Sequence, residues 1–213
     1  MSDTGGMAAG RLEAQIAADH AVVEGLFAEM LEATAVATLS GGAAGDGSSS
    51  GSDRRDLMAQ IVHELSVHAA AEEQVVYPAL RDAPGGRGLV DRALDDHQLM
   101  KEALVALEHL EPGEPEFQDQ FDRLVSAVRA HVPEEEQGLL PKLRTTVGPE
   151  KMDDLAEKFE HAKRTAPARP HPLAPNRPPA NVIAGAAAAV VDRARDALSH
   201  RGEQGANGEH GEG

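Results

Sequence analysis

The chain contains no cysteine among its 213 residues. That absence removes disulfides, thiolate ligands, iron–sulfur clusters and covalently attached c-type haem from consideration. Any metal held here is held by nitrogen and oxygen. Aromatic residues are scarce, with four Phe, one Tyr and no Trp. Alanine and leucine are abundant in their place, a balance that favours packed helices over sheets. Basic residues are in deficit, and the formal charge of −16 argues against a nucleic-acid footprint. No apolar run approaches the ~18 residues of a membrane span. The N-terminus, Met1-Ser2-Asp3-Thr4-Gly5-Gly6, shows no basic region followed by an apolar core. The expected location is therefore the cytoplasm, off the membrane. A P-loop and a nucleophile elbow are also missing.

What is present is a segment that occurs twice. His68-Ala69-Ala70-Ala71-Glu72-Glu73-Gln74-Val75-Val76-Tyr77-Pro78 and His131-Val132-Pro133-Glu134-Glu135-Glu136-Gln137-Gly138-Leu139-Leu140-Pro141 both read H-x-x-x-E-E-Q-x-x-x-P. A four-residue step on a helix turns ~400°, so each His and its first Glu share a face one turn apart. Glu73 and Glu136 are rotated ~100° from those neighbours and are expected to back the site or face solvent.

The surrounding pattern is helical throughout. Residues 1–10 read as a disordered end. A first helix is expected from about Arg11 to Leu39, with Ile16, His20, Val23, Phe27 and Met30 recurring at three- and four-residue steps. A Gly/Ser linker follows from Gly41 to Ser52, and it lacks the acidic spacing of a calcium loop. Asp53 is positioned to cap a second helix over 54–81. A third is expected over 88–111 and a fourth over 116–145, the latter interrupted by Pro133, which predicts a kink or local distortion. A shorter fifth helix fits 149–164. The chain from 165 onward reads as a Pro-rich linker, an amphipathic segment over 181–200 and a disordered end.

The core also repeats. Asp19-His20 resembles Asp96-His97, each placed ahead of one H-x-x-x-E copy. The separation from His20 to His68 is 48 positions and from His97 to His131 is 34, a difference of 14 that the Gly/Ser linker nearly accounts for. Two hairpins of one design with short connections make an all-α, up-down-up-down four-helix bundle. Each of its helices places His or Glu on the apolar stripe: His20, His68, Glu72, His97, His131 and Glu135. Buried carboxylates need partners, and no Arg or Lys pattern on the stripes supplies them. A metal pair does, and imidazole with carboxylate suits iron, manganese or zinc. Glu72 and Glu135, one per hairpin, can each bridge two ions, with His20 and His68 on one and His97 and His131 on the other.

Other metal motifs do not fit. His63-Glu64-Leu65-Ser66-Val67-His68 is one residue too long for a zinc-protease H-E-x-x-H, and its two histidines lie ~140° apart on a helix. The Glu-x-x-His order of ferritin-type bundles is reversed here. His161, His171, His200 and His210 fall outside the repeat and are expected in solvent.

At Asp19-His20, His68-x-x-x-Glu72-Glu73 with Tyr77-Pro78, Asp96-His97, and His131-x-x-x-Glu135-Glu136 with Pro141, the sequence resembles the hemerythrin-like family, the HHE cation-binding domain. The resemblance covers about Arg11 to Arg164. It implies a four-helix bundle around a non-haem di-iron centre, terminal roles for His20, His68, His97 and His131, and bridging roles for Glu72 and Glu135. One departure stands out. Hemerythrins proper carry a fifth His four residues after the third-helix His; here that position is Lys101, which when protonated cannot ligate. Its counterpart in the first hairpin is Glu24, a weaker candidate ligand, as is Glu64 one turn before His68. The resemblance thus implies two carboxylate-bridged iron ions, or another divalent metal, and a protein that binds or senses dioxygen or handles reactive oxygen and nitrogen species. Open positions next to Lys101 favour peroxide-consuming or nitric-oxide-reducing chemistry as the alternative. A metal-stabilised interaction module, docking a protein partner through the C-terminal tail, is the third.

Overall fold

The computed structural model describes residues 10–39 and 48–167. The N-terminal end before residue 10, residues 40–47 of the linker, and the Pro-rich stretch, the 181–200 segment and the closing residues all lie outside the described residues.

The described residues form five helices: α1 is Arg11–Leu39, and α3 is Gly86–Glu108. The second, α2, runs through Ser48–Ala71, a wider π-helical turn Glu72–Val76, and Tyr77–Arg81. The fourth, α4, repeats that pattern with Pro115–Glu134, a π-helical turn Glu135–Leu139, and Leu140–Val147. The last, α5, is Pro149–Thr165. One boundary differs from expectation: α2 begins at Ser48, so Asp53 lies within its first turns and not at its cap. Serine near a helix start costs little, and an early carboxylate suits the positive end of the helix dipole.

Between α2 and α3 the chain reverses at Gly85, whose φ is 78°. A Cβ on the next residue, Gly86, would lie 2.0 Å from the Leu80 carbonyl oxygen. Two consecutive glycines are therefore required for this turn. It delivers the second hairpin, α3 and α4, against the first, α1 and α2, in a four-helix bundle. Helix α5 doubles back and packs on α1 and α2. No described helix is long and apolar enough to cross a membrane.

The buried apolar residues separate into two clusters. One gathers Ile16, Val76, Leu94, Leu139 and, from α5, Phe159. The other gathers Val23, Leu65, Met100 and Val128 around Phe27 and Phe121, whose rings meet edge to face at 5.6 Å. Fully burying a side chain of this size stabilises by about 1.5–3 kcal/mol. Every bundle helix passes from one cluster to the other, and on each the residues between are His or Glu: His20, His68 with Glu72, His97, and His131 with Glu135.

Candidate metal centre

The layer between the two clusters is built by the repeat and its proline. Proline donates no N–H and its ring crowds the carbonyl four residues back, so an α-helix does not run through it undisturbed. Both copies answer with the same π turn. The N–H of Tyr77, just before Pro78, donates to the Glu72 carbonyl. The N–H of Leu140, just before Pro141, donates to the Glu135 carbonyl. Pro133, present only in the second copy, is therefore not what the two turns share. The expected distortion near Pro133 is this π turn, and its common cause is the closing proline of the motif.

Glu72 is fully buried at the centre of the layer. Its Oε1 lies 3.1 Å from His68 Nε2 on its own helix, and its Oε2 lies 3.3 Å from His97 Nε2 on α3. Glu135 Oε2 stands 3.5 Å from His20 Nε2 and 3.6 Å from His131 Nε2. Each carboxylate thus spans the two hairpins. The rings of His20 and His68 are 4.9 Å apart, as are those of His97 and His131. Donor atoms converge at two points: His20, His68, Glu72 and Glu135 at one, and Glu72, His97 and His131 at the other.

Behind each imidazole stands a carboxylate. Asp19 Oδ2 faces His68 Nδ1 at 3.2 Å, and Asp96 Oδ2 faces His131 Nδ1 at 3.5 Å. Across the hairpins, Glu136 Oε1 meets His20 Nδ1 at 2.8 Å, and Glu73 Oε1 meets His97 Nδ1 at 2.9 Å. A proton held on each Nδ1 by its carboxylate leaves Nε2 aimed inward, which is how protein carboxylates fix a ligating histidine.

Electrostatics follow from this crowding. Burial lowers the His68 imidazole, but Glu72 and Asp19 outweigh it and push it up to about 10. Burial likewise lowers His97, and the Glu72 and Glu73 carboxylates raise it to about 9. Burial pushes the Glu72 carboxyl up, yet the His68 and His97 charges hold it well below the usual carboxylate range. Burial, reinforced by Glu135, Glu72 and Glu73, keeps the Tyr77 phenol well above its ordinary value. Tyr77 therefore stays protonated, donating to Glu72 Oε2 at 3.2 Å and accepting from His97 Nε2 at 2.9 Å.

The six residues expected as metal ligands from the sequence are thus brought into one layer. The two weaker candidates are not part of it. Glu24 turns outward, half exposed, into an ion pair with Arg129 on α4, whose Nε donates to it at 3.1 Å. Its position one turn after His20 lies beyond the layer, at the surface, where the Arg129 cation is at hand. Glu64 is half-buried and belongs to neither convergence of donor atoms. Lys101 Nζ donates to both oxygens of Glu73, at 2.7 and 2.9 Å.

Four participants were not legible as such. Tyr77 touches Glu72 and His97, although only its place beside Pro78 drew attention to it. Asp19 and Asp96 orient histidines on the neighbouring helix, a role signalled by the repeated Asp-His pair. Lys163 of α5 pairs with Asp19, and nothing in local spacing pointed to it.

Whether this layer fits a metal ion can be judged from its unsatisfied atoms. His20 Nε2, His68 Nε2, His131 Nε2, Glu72 Oε1 and both Glu135 side-chain oxygens are buried without a hydrogen-bond partner. Buried polar atoms are rarely left so, and these converge as the nitrogen and oxygen donors of a divalent cation do. The fit is good.

Comparison with known proteins agrees. A profile of the hemerythrin HHE cation binding domain matches residues 12–143. A protein of Schizosaccharomyces pombe described as an uncharacterised hemerythrin-like protein is 35% identical over 141 residues, covering 65% of this chain and 70% of that protein. A DNA nickase of a Nostoc species is 33% identical over 109 residues, 51% of this chain but only 31% of the nickase. Among solved structures, a hemerythrin HHE cation binding domain-containing protein from Mycobacterium kansasii aligns with a TM-score of 0.52 at 22% identity, covering 71% of this chain and 86% of that one. This last likeness bears on the fold.

Proposed function

This chain belongs to the hemerythrin HHE cation-binding domain family, and from that premise we propose that its His/Glu layer holds a carboxylate-bridged pair of iron ions and binds or senses dioxygen or handles reactive oxygen and nitrogen species. The observation that carries the reading is the set of buried Nε2 and carboxylate oxygen atoms converging at two adjacent points, most of them without a hydrogen-bond partner. His20 and His68 would hold one ion and His97 and His131 the other; Glu72 would serve both, and Glu135 would join the first. Bound iron supplies a redox-active Lewis acid whose open positions take small oxygen or nitrogen ligands. The chain's own residues do the rest. Asp19, Asp96, Glu73 and Glu136 hold protons on the outer ring nitrogens and so keep each Nε2 directed inward. Tyr77 carries a proton at the layer's edge. The apolar clusters on either side exclude bulk water.

A second reading, turnover of peroxide or reduction of nitric oxide, is favoured by the uneven donor sets. The point at His97 and His131 gathers three residues, whereas the point at His20 and His68 gathers four. Lys101, in the place of a further imidazole, is drawn off to Glu73. The partners proposed are therefore small molecules; the net charge of −16 supports no polyanion. A cytoplasmic location is part of the proposal.

Metal analysis of protein produced with iron, joined to its optical spectrum, tests the reading. About two irons per chain with oxo-bridge absorption is the expected outcome for a di-iron carboxylate site. A chain that stays folded and takes up no metal would falsify it. Turnover assays with peroxide and nitric oxide then decide between binding and catalysis.

A further inference from the structure

The layer repeats almost symmetrically, and the repeat exposes one difference in how it is covered. A shift of 77 positions carries Asp19 and His20 onto Asp96 and His97, and a shift of 63 carries His68 and Glu72 onto His131 and Glu135. On the α3–α4 side a recess of about 10 Å³ opens beside His131 and Glu135, bounded by Leu89, Arg92, Ala93, Asp96, Glu134 and Leu139. The same shifts carry these onto Leu12, Gln15, Ile16, Asp19, Ala71 and Val76. There Leu12, Ile16, Ala71 and Val76 are fully buried, in the cluster that α5 completes with Met152, Leu155 and Phe159. The Phe159 ring stands edge-on to His68 at 6.1 Å, and Lys163 covers Asp19. Helix α5 therefore seals one of two equivalent openings. Among the described residues, α3 and α4 alone line the other.

Exposure follows the same division. The Asp96 side chain is 34% exposed and that of Asp19 only 15%. Over the mouth of the recess, Arg92 Nε and Glu134 Oε2 stand 3.9 Å apart on largely exposed side chains. An ion pair so long and so wet holds little, so the mouth opens at small cost. A volume of this size admits about one water-sized molecule. The rim carries Asp96 and Glu134 against Arg92 alone, a local field that repels anions.

We infer that small ligands reach the layer through the α3–α4 recess, that Leu89 and Ala93 set its width, and that Asp96 and Glu134 favour uncharged diatomic ligands and hydrogen peroxide over anions. This inference rests on the metal-centre reading above.

The test uses the full chain loaded with iron, and nitric oxide and azide as neutral and anionic probes. In Leu89→Trp and Arg92→Trp, iron content stays at the wild-type level while nitric oxide association in stopped flow slows at least about tenfold, a range over which gated on-rates vary. Uptake of ferrous iron by the metal-free chain slows in parallel. Adding Phe159→Ala to Leu89→Trp recovers part of the rate by unsealing the other opening. Glu134→Lys speeds azide association several-fold at low salt, an effect that collapses as ionic strength rises, and leaves nitric oxide unchanged. Iron-loaded Leu89→Trp and Arg92→Trp that both bind the two probes at wild-type rates would overturn the inference and leave the metal centre standing. A wild-type chain that takes up no iron would overturn the metal centre itself, and the inference with it.

Discussion

The two hairpins carry one motif into two different environments. In the first, His68 is backed by Asp19, which α5 covers and Lys163 pairs with. In the second, His131 is backed by the more exposed Asp96, which stands beside the α3–α4 recess. At the position before the motif's proline the first copy has Tyr77, which hydrogen-bonds within the layer, and the second has Leu140, which is core. A duplicated motif therefore fixes where donor atoms converge, while unrepeated residues decide how each half is shielded, hydrogen-bonded and reached. The proposed chemistry belongs on the less shielded side.

The sharpest way to break the comparison is to remove a residue that both halves share. Glu72→Ala should empty both metal positions, because Glu72 alone appears at both convergence points; metal content per chain would drop from about two to near zero in a site of this type. Glu135→Ala should first cost the His20/His68 ion. Equal, single-ion losses in both variants would show that neither Glu is a bridge.

Next in size are two core phenylalanines, both fully buried. Phe27→Ala and Phe159→Ala should each destabilise by about 3–5 kcal/mol in denaturant unfolding. Only Phe159→Ala, beside His68, should also change the metal's spectrum. A spectral change in Phe27→Ala would show that the two clusters are not independent.

A smaller and more pointed contrast lies in the backing carboxylates. Asp19→Asn and Asp96→Asn should each weaken metal binding, within the roughly 10–100-fold range that such orienting groups command. The loss should be larger for Asp19, where burial and Lys163 hold the carboxylate in place. Competition with a chelator measures both, and a larger loss in Asp96→Asn would reverse the assignment.

The smallest effect is a pH dependence of the metal-free protein. His68 and His97 are raised to about 10 and about 9 on folding, from an unfolded value of about 6.5. A raised imidazole contributes stability that is fully present below the unfolded value and is lost as pH climbs through the folded one. Midpoints of thermal unfolding without metal should therefore fall between about pH 6.5 and 10. Protons compete with metal for the same nitrogens, so metal uptake should instead improve over the lower part of that window. A metal-free chain whose midpoint rises across this range would contradict the charge arrangement described here.

The sequence alone determined the helical class, the repeat and the identity of the six converging residues. Period and spacing place His and Glu on apolar faces, and burial then forces those groups to find one another. It also marked Lys101 as the departure from hemerythrins proper. What it left open depends on contacts between residues far apart in the chain. Glu24 follows His20 by one turn, as Lys101 follows His97, yet only the packing of α4 showed that Arg129 draws it to the surface. Tyr77 lies nine positions after His68, and the π turn helps set the register at which its hydroxyl reaches His97. The shielding of one half by α5 rests on Phe159 and Lys163, which belong to no repeat. Periodicity describes what each helix presents, but which helix receives it, and which opening a fifth helix closes, is decided by tertiary packing, because those contacts depend on shape and distance across the bundle and not on spacing along one chain.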